Sequence, residues 1–222
     1  MGYQPPKSTA TSPPLLRRIH NIDHSISLYI HTLTSPIAPR PLLRLLELLA
    51  DFRCFFPVSL SLFLATPSSS PIRSHLLLPL LLCSLLDLLF IALLKFLVRR
   101  SRPSYATHSE YNAVVSVDNF SFPSGHSSRV FFVASIVSLS RPWILADLNH
   151  PRVTVLVRRW FEEDNVMAVD LLIAAVWSWA LTTVLSRVAL GRHYVLDVFF
   201  GACFGVLEAL VTFHFLEFQA LI

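Results

Sequence analysis

From Ser74 to Val98 the chain reads SHLLLPLLLCSLLDLLFIALLKFLV, a run whose only formal charges are Asp87 and Lys95. About 20 apolar residues of helix cross the hydrocarbon core of a bilayer, and a helix is one of the few structures that satisfies its own backbone there. Segments 126–146, 166–188 and 194–218 have the same character. Stretch 41–66 is also long enough, although DFRCFFP interrupts it with Asp51, Arg53 and Pro57 and allows two shorter helices instead. With 54% hydrophobic and 14% charged residues, the chain has too little polar surface to cover a water-soluble globule. The expectation is an all-α, polytopic transmembrane helix bundle of about five to six spans.

Ahead of the spans, residues 1–20 (MGYQPPKSTATSPPLLRRIH) are rich in proline, serine and threonine. They are expected to form a disordered tail in front of a transmembrane domain over 21–222. The tail holds no run long enough for a signal-peptide core, and Pro6 stands where a myristoylation motif wants serine or threonine. NIDHSISLYIHTLTSPI then places apolar residues at helical spacing behind Asn21 or Asp23 as N-cap, which predicts a half-buried helix lying in the membrane interface. Much of the net charge of +4 sits in the block KFLVRRSRP and forms no nucleic-acid-binding stripe. Lipid phosphate is the expected partner, not DNA or RNA. Cys54, Cys83 and Cys203 lie in apolar stretches without paired spacing and read as packing residues.

Parity of crossing brings three junctions to one membrane face: the end of 74–98 with the start of 126–146, and the end of 166–188 with the start of 194–218. In the first, Lys95 and Arg102 stand seven residues apart and project within about 20° of each other if the helix continues that far. Such a pair suits an oxyanion, the arginine by its fork and the lysine as a point charge. Taken alone, it also fits cations that anchor a span at the headgroups. In the second, FPSGH puts Ser124 at an N-cap, Gly125 where bare backbone approaches a ligand, and His126 in the first turn, an anion cradle with one titratable group. A plain turn with a water-facing histidine is the alternative. In the third, Ser186 and Arg187 close one span, and His193 and Asp197 open the next at i, i+4. The carboxylate can fix the imidazole tautomer so that the other nitrogen is a nucleophile. A helix-surface pair is the rival, and a metal site lacks the three or four converging ligands it would need.

Lys-x6-Arg-Pro, Pro-Ser-Gly-His and Ser-Arg-x5-His-x3-Asp together resemble the signature of the type 2 phosphatidic acid phosphatase superfamily, over about Leu76 to Leu216. DNFSFPSGHSSR and the short length look like its branch of plant lipid phosphate phosphatase beta and polyisoprenoid diphosphate phosphatases. The resemblance implies six spans and a site facing the lumen or the outside. It also implies hydrolysis of a lipid phosphate monoester or an isoprenoid diphosphate through a phosphohistidine. His193 would be the nucleophile, oriented by Asp197, and His126 the general acid. Lys95, Arg102, Ser124, Gly125 and Arg187 would hold the phosphoryl oxygens. With protein cations neutralising the charge and no carboxylate cluster in the sequence, no metal or other cofactor is expected. A non-catalytic lipid-phosphate-binding or scaffold protein has no use for a nucleophile paired with a proton donor. The vanadium haloperoxidases, whose vanadate site the constellation resembles, are disfavoured by the membrane spans. Endoplasmic reticulum is the first expected location and a plastid membrane the second.

Four further features stand near this set. Asp87 and Glu208 lie inside apolar spans, where an ionisable group is costly and is either functional or paired. Glu208 recurs on nearly the face of Asp197 and could sit below the site. Arg129 could assist phosphate or pair elsewhere. Gly201 and Gly205 form a small-xxx-small pair expected to let helices pack closely.

Overall fold

The structure is a computed structural model describing residues 14–105, 119–149 and 165–220. Among these residues the chain forms α1 (Pro14–Thr34), α2 (Arg40–Leu49), α3 (Phe52–Ala65), α4 (Leu78–Val98, entered through a π-type turn Arg73–Leu77), α5 (Gly125–Leu139), α6 (Arg141–Leu148), α7 (Asn165–Ala189) and α8 (Val195–Ala220). Among the described residues three helices are long and apolar enough to cross a membrane: Arg73–Val98, Asn165–Ala189 and Val195–Phe215. Counting each bent pair as one span raises the number to five. The all-α transmembrane bundle expected from the sequence is the architecture observed.

Two spans are broken. Stretch 41–66 bends by 51° between α2 and α3, because the Asp51 carboxylate accepts the Arg53 N–H at 2.9 Å and starts a new helix there. Pro57 lies within α3 and does not end it. The single span expected over 126–146 divides at Ser140 into α5 and α6, bent by 59°. Pro142, which has no N–H to donate, falls in the first turn of α6, where that loss costs nothing. The N-terminal region departs further from expectation. Residues 14–20, assigned to the disordered tail, are the first turns of α1, whose apolar periodicity begins at Leu15 and Leu16. Residues 1–13 lie outside those described. Asn21 and Asp23 do not cap α1, since both fall in its middle and Asp23 is buried.

α5 is the central post. Val130, Phe132 and Ile136 are fully buried, and its lower half packs with Leu76, Leu77, Leu80 and Cys83 of the α4 segment, Ile144, Val169 and Ala209. The leucines on the other side of α4, such as Leu82, Leu86 and Leu89, are exposed, as the lipid-facing side of a span is. α8 lies against α5 so closely that backbone meets backbone. A β-carbon on Gly201 would strike the Ser124 carbonyl oxygen, and one on Gly205 would strike the Ser128 carbonyl and come within 2.8 Å of the Phe132 amide nitrogen. The two glycines therefore serve packing inside the protein.

Gly205→Ala should lower stability by about 1–3 kcal/mol, the usual cost of forcing extra volume into a closed contact. Thermal unfolding in detergent checks this, with Cys203→Ala, at an exposed position of the same helix, as the silent control.

Candidate active site

Each junction is shaped by local rules before any of them meets another. α4 ends at Val98 because Arg99 adopts a left-handed conformation, φ 51°, and donates its N–H to the Lys95 carbonyl at 2.9 Å. An L-residue there costs roughly 1–2 kcal/mol. The helix does not reach Arg102, so Lys95 and Arg102 are not brought together by a shared helical face. Pro103 restricts the residue before it to extended backbone. The chain duly straightens, and Ser101 bridges to Phe120. The Ser121 N–H donates to the Arg100 carbonyl at 2.8 Å and the Ser121 hydroxyl to the Ser101 carbonyl at 3.0 Å. Lys95 is buried in the last turn of α4.

The second junction is the N-cap expected. Ser124 Oγ accepts the Ser127 N–H at 3.4 Å and the Ser127 hydroxyl at 2.9 Å, while the Ser124 N–H donates to the Asp197 carbonyl at 3.0 Å. Gly125 is small for a packing reason as well, since a β-carbon on it would press to 3.2 Å from Ile91. His126 is part-exposed as a residue, but its Nε2 is buried and has no hydrogen-bond partner among the described residues.

In the third junction, α7 ends in a Schellman motif. The Gly191 N–H donates to the Val188 carbonyl and the Arg192 N–H to the Arg187 carbonyl, 2.9 and 3.0 Å, with Gly191 at φ 67°. The turn folds the chain back so that the His193 N–H also reaches the Arg187 carbonyl at 3.3 Å. This is the physical content of the Ser-Arg-x5-His spacing: the turn returns His193 beside Arg187. Arg102 Nη1 donates to the Arg192 carbonyl at 2.9 Å, tying the first junction to the third.

His193 is almost wholly buried. Its Nδ1–H donates to the Ser121 carbonyl at 2.7 Å, which leaves Nε2 bare. The tautomer is the one expected, but its holder is not. Asp197 Oδ2 lies 3.8 Å from Nδ1, a charge contact outside hydrogen-bond range, and accepts the Tyr194 N–H at 2.9 Å instead. That bond is half of a capping box, in which the third residue of α8 reaches back to the N-cap amide. Burial, followed by the positive charges of Arg102, Arg187 and Lys95, pushes His193 well below the usual imidazole range, so the ring is neutral at pH 7.

Lys95, Arg102 and Arg187 thus all lie within electrostatic range of one imidazole, and Arg187, Arg129, His193 and Lys95 lie within range of His126. Arg187 is fully buried at the end of α7. Its Nη1 is 2.8 Å from Glu47 Oε1, yet Nε, Nη1 and Nη2 all lack an aligned hydrogen bond among the described residues. A buried guanidinium with unspent donors beside a bare imidazole nitrogen is suited to a tetrahedral oxyanion. Among the described residues no group of three His, Cys, Asp or Glu side chains could hold a metal ion.

All eight expected residues, Lys95, Arg102, Ser124, Gly125, His126, Arg187, His193 and Asp197, therefore stand at this one end of the bundle. Three others were not assigned to the site. Ser121 holds the His193 ring, Glu47 faces Arg187, and Arg100, which had the look of a headgroup anchor, donates to Asp197 Oδ1 at 2.7 Å and to Asp23 Oδ2 at 2.6 Å. For Ser121 the only signal was its place three residues before the Ser124 cap, at the start of SFPSGH. Arg129 is engaged elsewhere: Nη1 donates to the Ala50 carbonyl at 2.9 Å and Nη2 to Asp87 Oδ2 at 3.2 Å, and Asp87 Oδ1 accepts the Ser128 hydroxyl at 2.6 Å. Asp87 is thus paired within the bundle. The charges that act on Glu208 are those of Asp87 and Arg129, so it lies within electrostatic range of that pair.

Comparison with known proteins agrees with this geometry. Residues 76–220 match the family model of the PAP2 superfamily. The chain is 44% identical over 216 residues, 97% of its length and 98% of the relative's, to the Arabidopsis thaliana protein named "Probable lipid phosphate phosphatase beta". Its fold resembles the crystal structure of a transmembrane PAP2-type phosphatidylglycerolphosphate phosphatase from Bacillus subtilis, with a TM-score of 0.63 at 21% identity, covering 90% of this chain and 87% of that one. Aquifex aeolicus LpxE is similar at a TM-score of 0.51 and 20% identity, covering 83% and 93%. With three motifs meeting at one end of the bundle and a family match running through all of them, the chain belongs to the PAP2 superfamily of membrane phosphatases.

Proposed function

We propose that the chain hydrolyses a lipid phosphate monoester or an isoprenoid diphosphate by way of a phosphohistidine at His193, within a transmembrane phosphatase domain that includes α1. The observation that carries this reading is the buried His193 ring, held through Nδ1 by the Ser121 carbonyl so that Nε2 keeps its lone pair, within electrostatic range of the buried Arg187 guanidinium, whose nitrogens lack an aligned hydrogen bond among the described residues. Arg187, Lys95, Arg102, the Ser124 hydroxyl and the amide of Gly125 at the N-terminus of α5 bind the phosphoryl oxygens, a preorganised set of donors in a site poor in water. Glu47 gives way to the substrate at Arg187.

His193 Nε2 forms the bond to phosphorus as the bond from phosphorus to the lipid oxygen breaks. His126, protonated when the substrate's negative charge fills the pocket, gives its proton to that oxygen. The phosphorylated ring then carries positive charge, which the Asp197 carboxylate at 3.8 Å compensates. Neutral His126 next takes a proton from the water that attacks phosphorus, and phosphate leaves with the His193 lone pair restored.

Purified protein should release phosphate from at least one member of a panel of phosphatidate, lysophosphatidate, sphingoid phosphate and farnesyl diphosphate, with turnover unchanged by chelator. His193→Ala should lower it by about 10³-fold or more. No release from any member would favour a lipid-binding role, and loss in chelator would refute the metal-free chemistry. His126→Ala should cost monoester hydrolysis about 10²–10⁴-fold and diphosphate hydrolysis less, because the departing phosphate of a diphosphate needs a proton less than an alkoxide does; equal losses would count against the acid role. The pH profile of kcat/KM, corrected for ionisation of the substrate, should show an enzyme group for His193 below pH 6.5, with activity lost as the ring gains a proton.

A further inference from the structure

Helix α1 has two faces with different tasks. Leu15, Ile19, Ile22, Ile26, Tyr29 and Leu33 recur at alternating spacings of four and three and are exposed, the stripe an interfacial helix lays on lipid. On the other side, Asp23 and Ser27 are buried, and both reach the first turn of α8. Asp23 Oδ1 accepts the Leu196 N–H at 3.0 Å, and Ser27 Oγ accepts the Val195 N–H at 2.9 Å. A helix leaves its first amides without partners inside itself. Here a separate helix supplies them, to the helix that carries Asp197.

Arg100 links the two carboxylates. Its Nη2 donates to Asp23 Oδ2 and its Nη1 to Asp197 Oδ1, and its guanidinium lies 4.0 Å from the Tyr194 ring centroid. The remaining oxygen of Asp197 is the one that takes the Tyr194 amide and faces His193. Building on the phosphatase reading above, we propose that Asp23 and Arg100 are positioning residues for the reaction: the Asp23–Arg100–Asp197 relay aims the Asp197 carboxylate at the phosphorylated His193 ring and sets how much of its negative charge the ring feels.

The charges decide what each partner does. Arg100 alone would pin Asp197 but also draw its field away from His193. Asp23 neutralises Arg100 from the far side, so Asp197 keeps its charge toward the imidazole. The other groups facing His193 are Lys95, Arg102, Arg187 and His126, and Arg100 also meets His20 Nδ1 at 3.3 Å. Changing Asp23 or Arg100 replaces none of the four groups that face His193, although Arg100→Gln also removes the contact with His20. A merely structural role predicts that both substitutions act alike. The relay predicts opposite effects on the imidazole: loss of Asp23 makes the cationic ring less favourable, and loss of Arg100 makes it more so.

The test compares wild type with Asp23→Asn, whose amide oxygen can still accept the Leu196 N–H, and Arg100→Gln, on one substrate. Both should lower kcat by about 10–100-fold, the scale for partners that orient a reacting group, with KM nearly unchanged. The acid limb of kcat/KM should move to lower pH in Asp23→Asn and to higher pH in Arg100→Gln, and Asp23→Glu should recover wild-type behaviour in large part. Limbs that stay in place or move the same way, or an unchanged kcat, would overturn the relay while leaving the phosphatase reading intact. No turnover by wild type removes that reading and the relay with it. Should either variant not fold, Asp23→Ser keeps an acceptor for the Leu196 amide, and Arg100→Lys, whose point charge cannot fork between two carboxylates, must still lower kcat at constant KM.

Discussion

The hydrogen bond from His193 Nδ1 to the Ser121 carbonyl is the contact on which the site depends. One residue, Ser121, ties three chain segments together: its N–H takes the Arg100 carbonyl, its hydroxyl the Ser101 carbonyl, and its own carbonyl the His193 ring. A carbonyl cannot donate, so the ring nitrogen facing it must carry the proton. The reactive nitrogen is thereby selected by backbone geometry. Asp197, relieved of holding the tautomer, is left to cap α8 and to present charge.

That arrangement concentrates positive charge around a neutral ring. Lys95 and Arg102 come from the first junction and Arg187 from the third, and burying Lys95 and Arg187 beside half-buried Arg102 is costly unless an anion completes the set. Burial and then the same cations keep His193 unprotonated, so the feature that binds a phosphoryl group also helps prepare the nucleophile. Glu47 at Arg187 and the pairing of Arg100 between two aspartates keep the cations from being a bare cluster when no substrate is present.

Packing makes the convergence possible. α8 can bring Asp197 to the Ser124 amide only because Gly201 and Gly205 let it approach the α5 backbone, and α7 can return His193 to Arg187 only because Gly191 closes its last turn with a positive φ. In this small protein the glycines that matter stand at close approaches and at one turn. α1 completes the assembly from outside the spans, its lipid-facing leucines and isoleucines on one side and the α8 cap on the other.

Much of this was written in the chain itself. Apolar runs of membrane length dictated a helical bundle, because lipid offers the backbone no partner. Parity placed three junctions at one face, and the residue types within them, Ser-Gly-His at an N-cap and His-x3-Asp at the mouth of the last span, pointed to anion chemistry, although His193 stands before the N-cap of α8 and not on its face. Those features depend on period and on neighbours a few residues apart. What only the tertiary structure decided depends on contacts between distant segments: that Ser121 and not Asp197 holds His193, 72 residues away, that Asp23 caps a helix 173 residues later, that Arg100 belongs to the site while Arg129 serves Asp87, and that Lys95 and Arg102 meet across a turn and not along a helix. Such partners are chosen when backbones dock. A carbonyl's place in space is a property of the assembled fold, and no spacing along the chain encodes it.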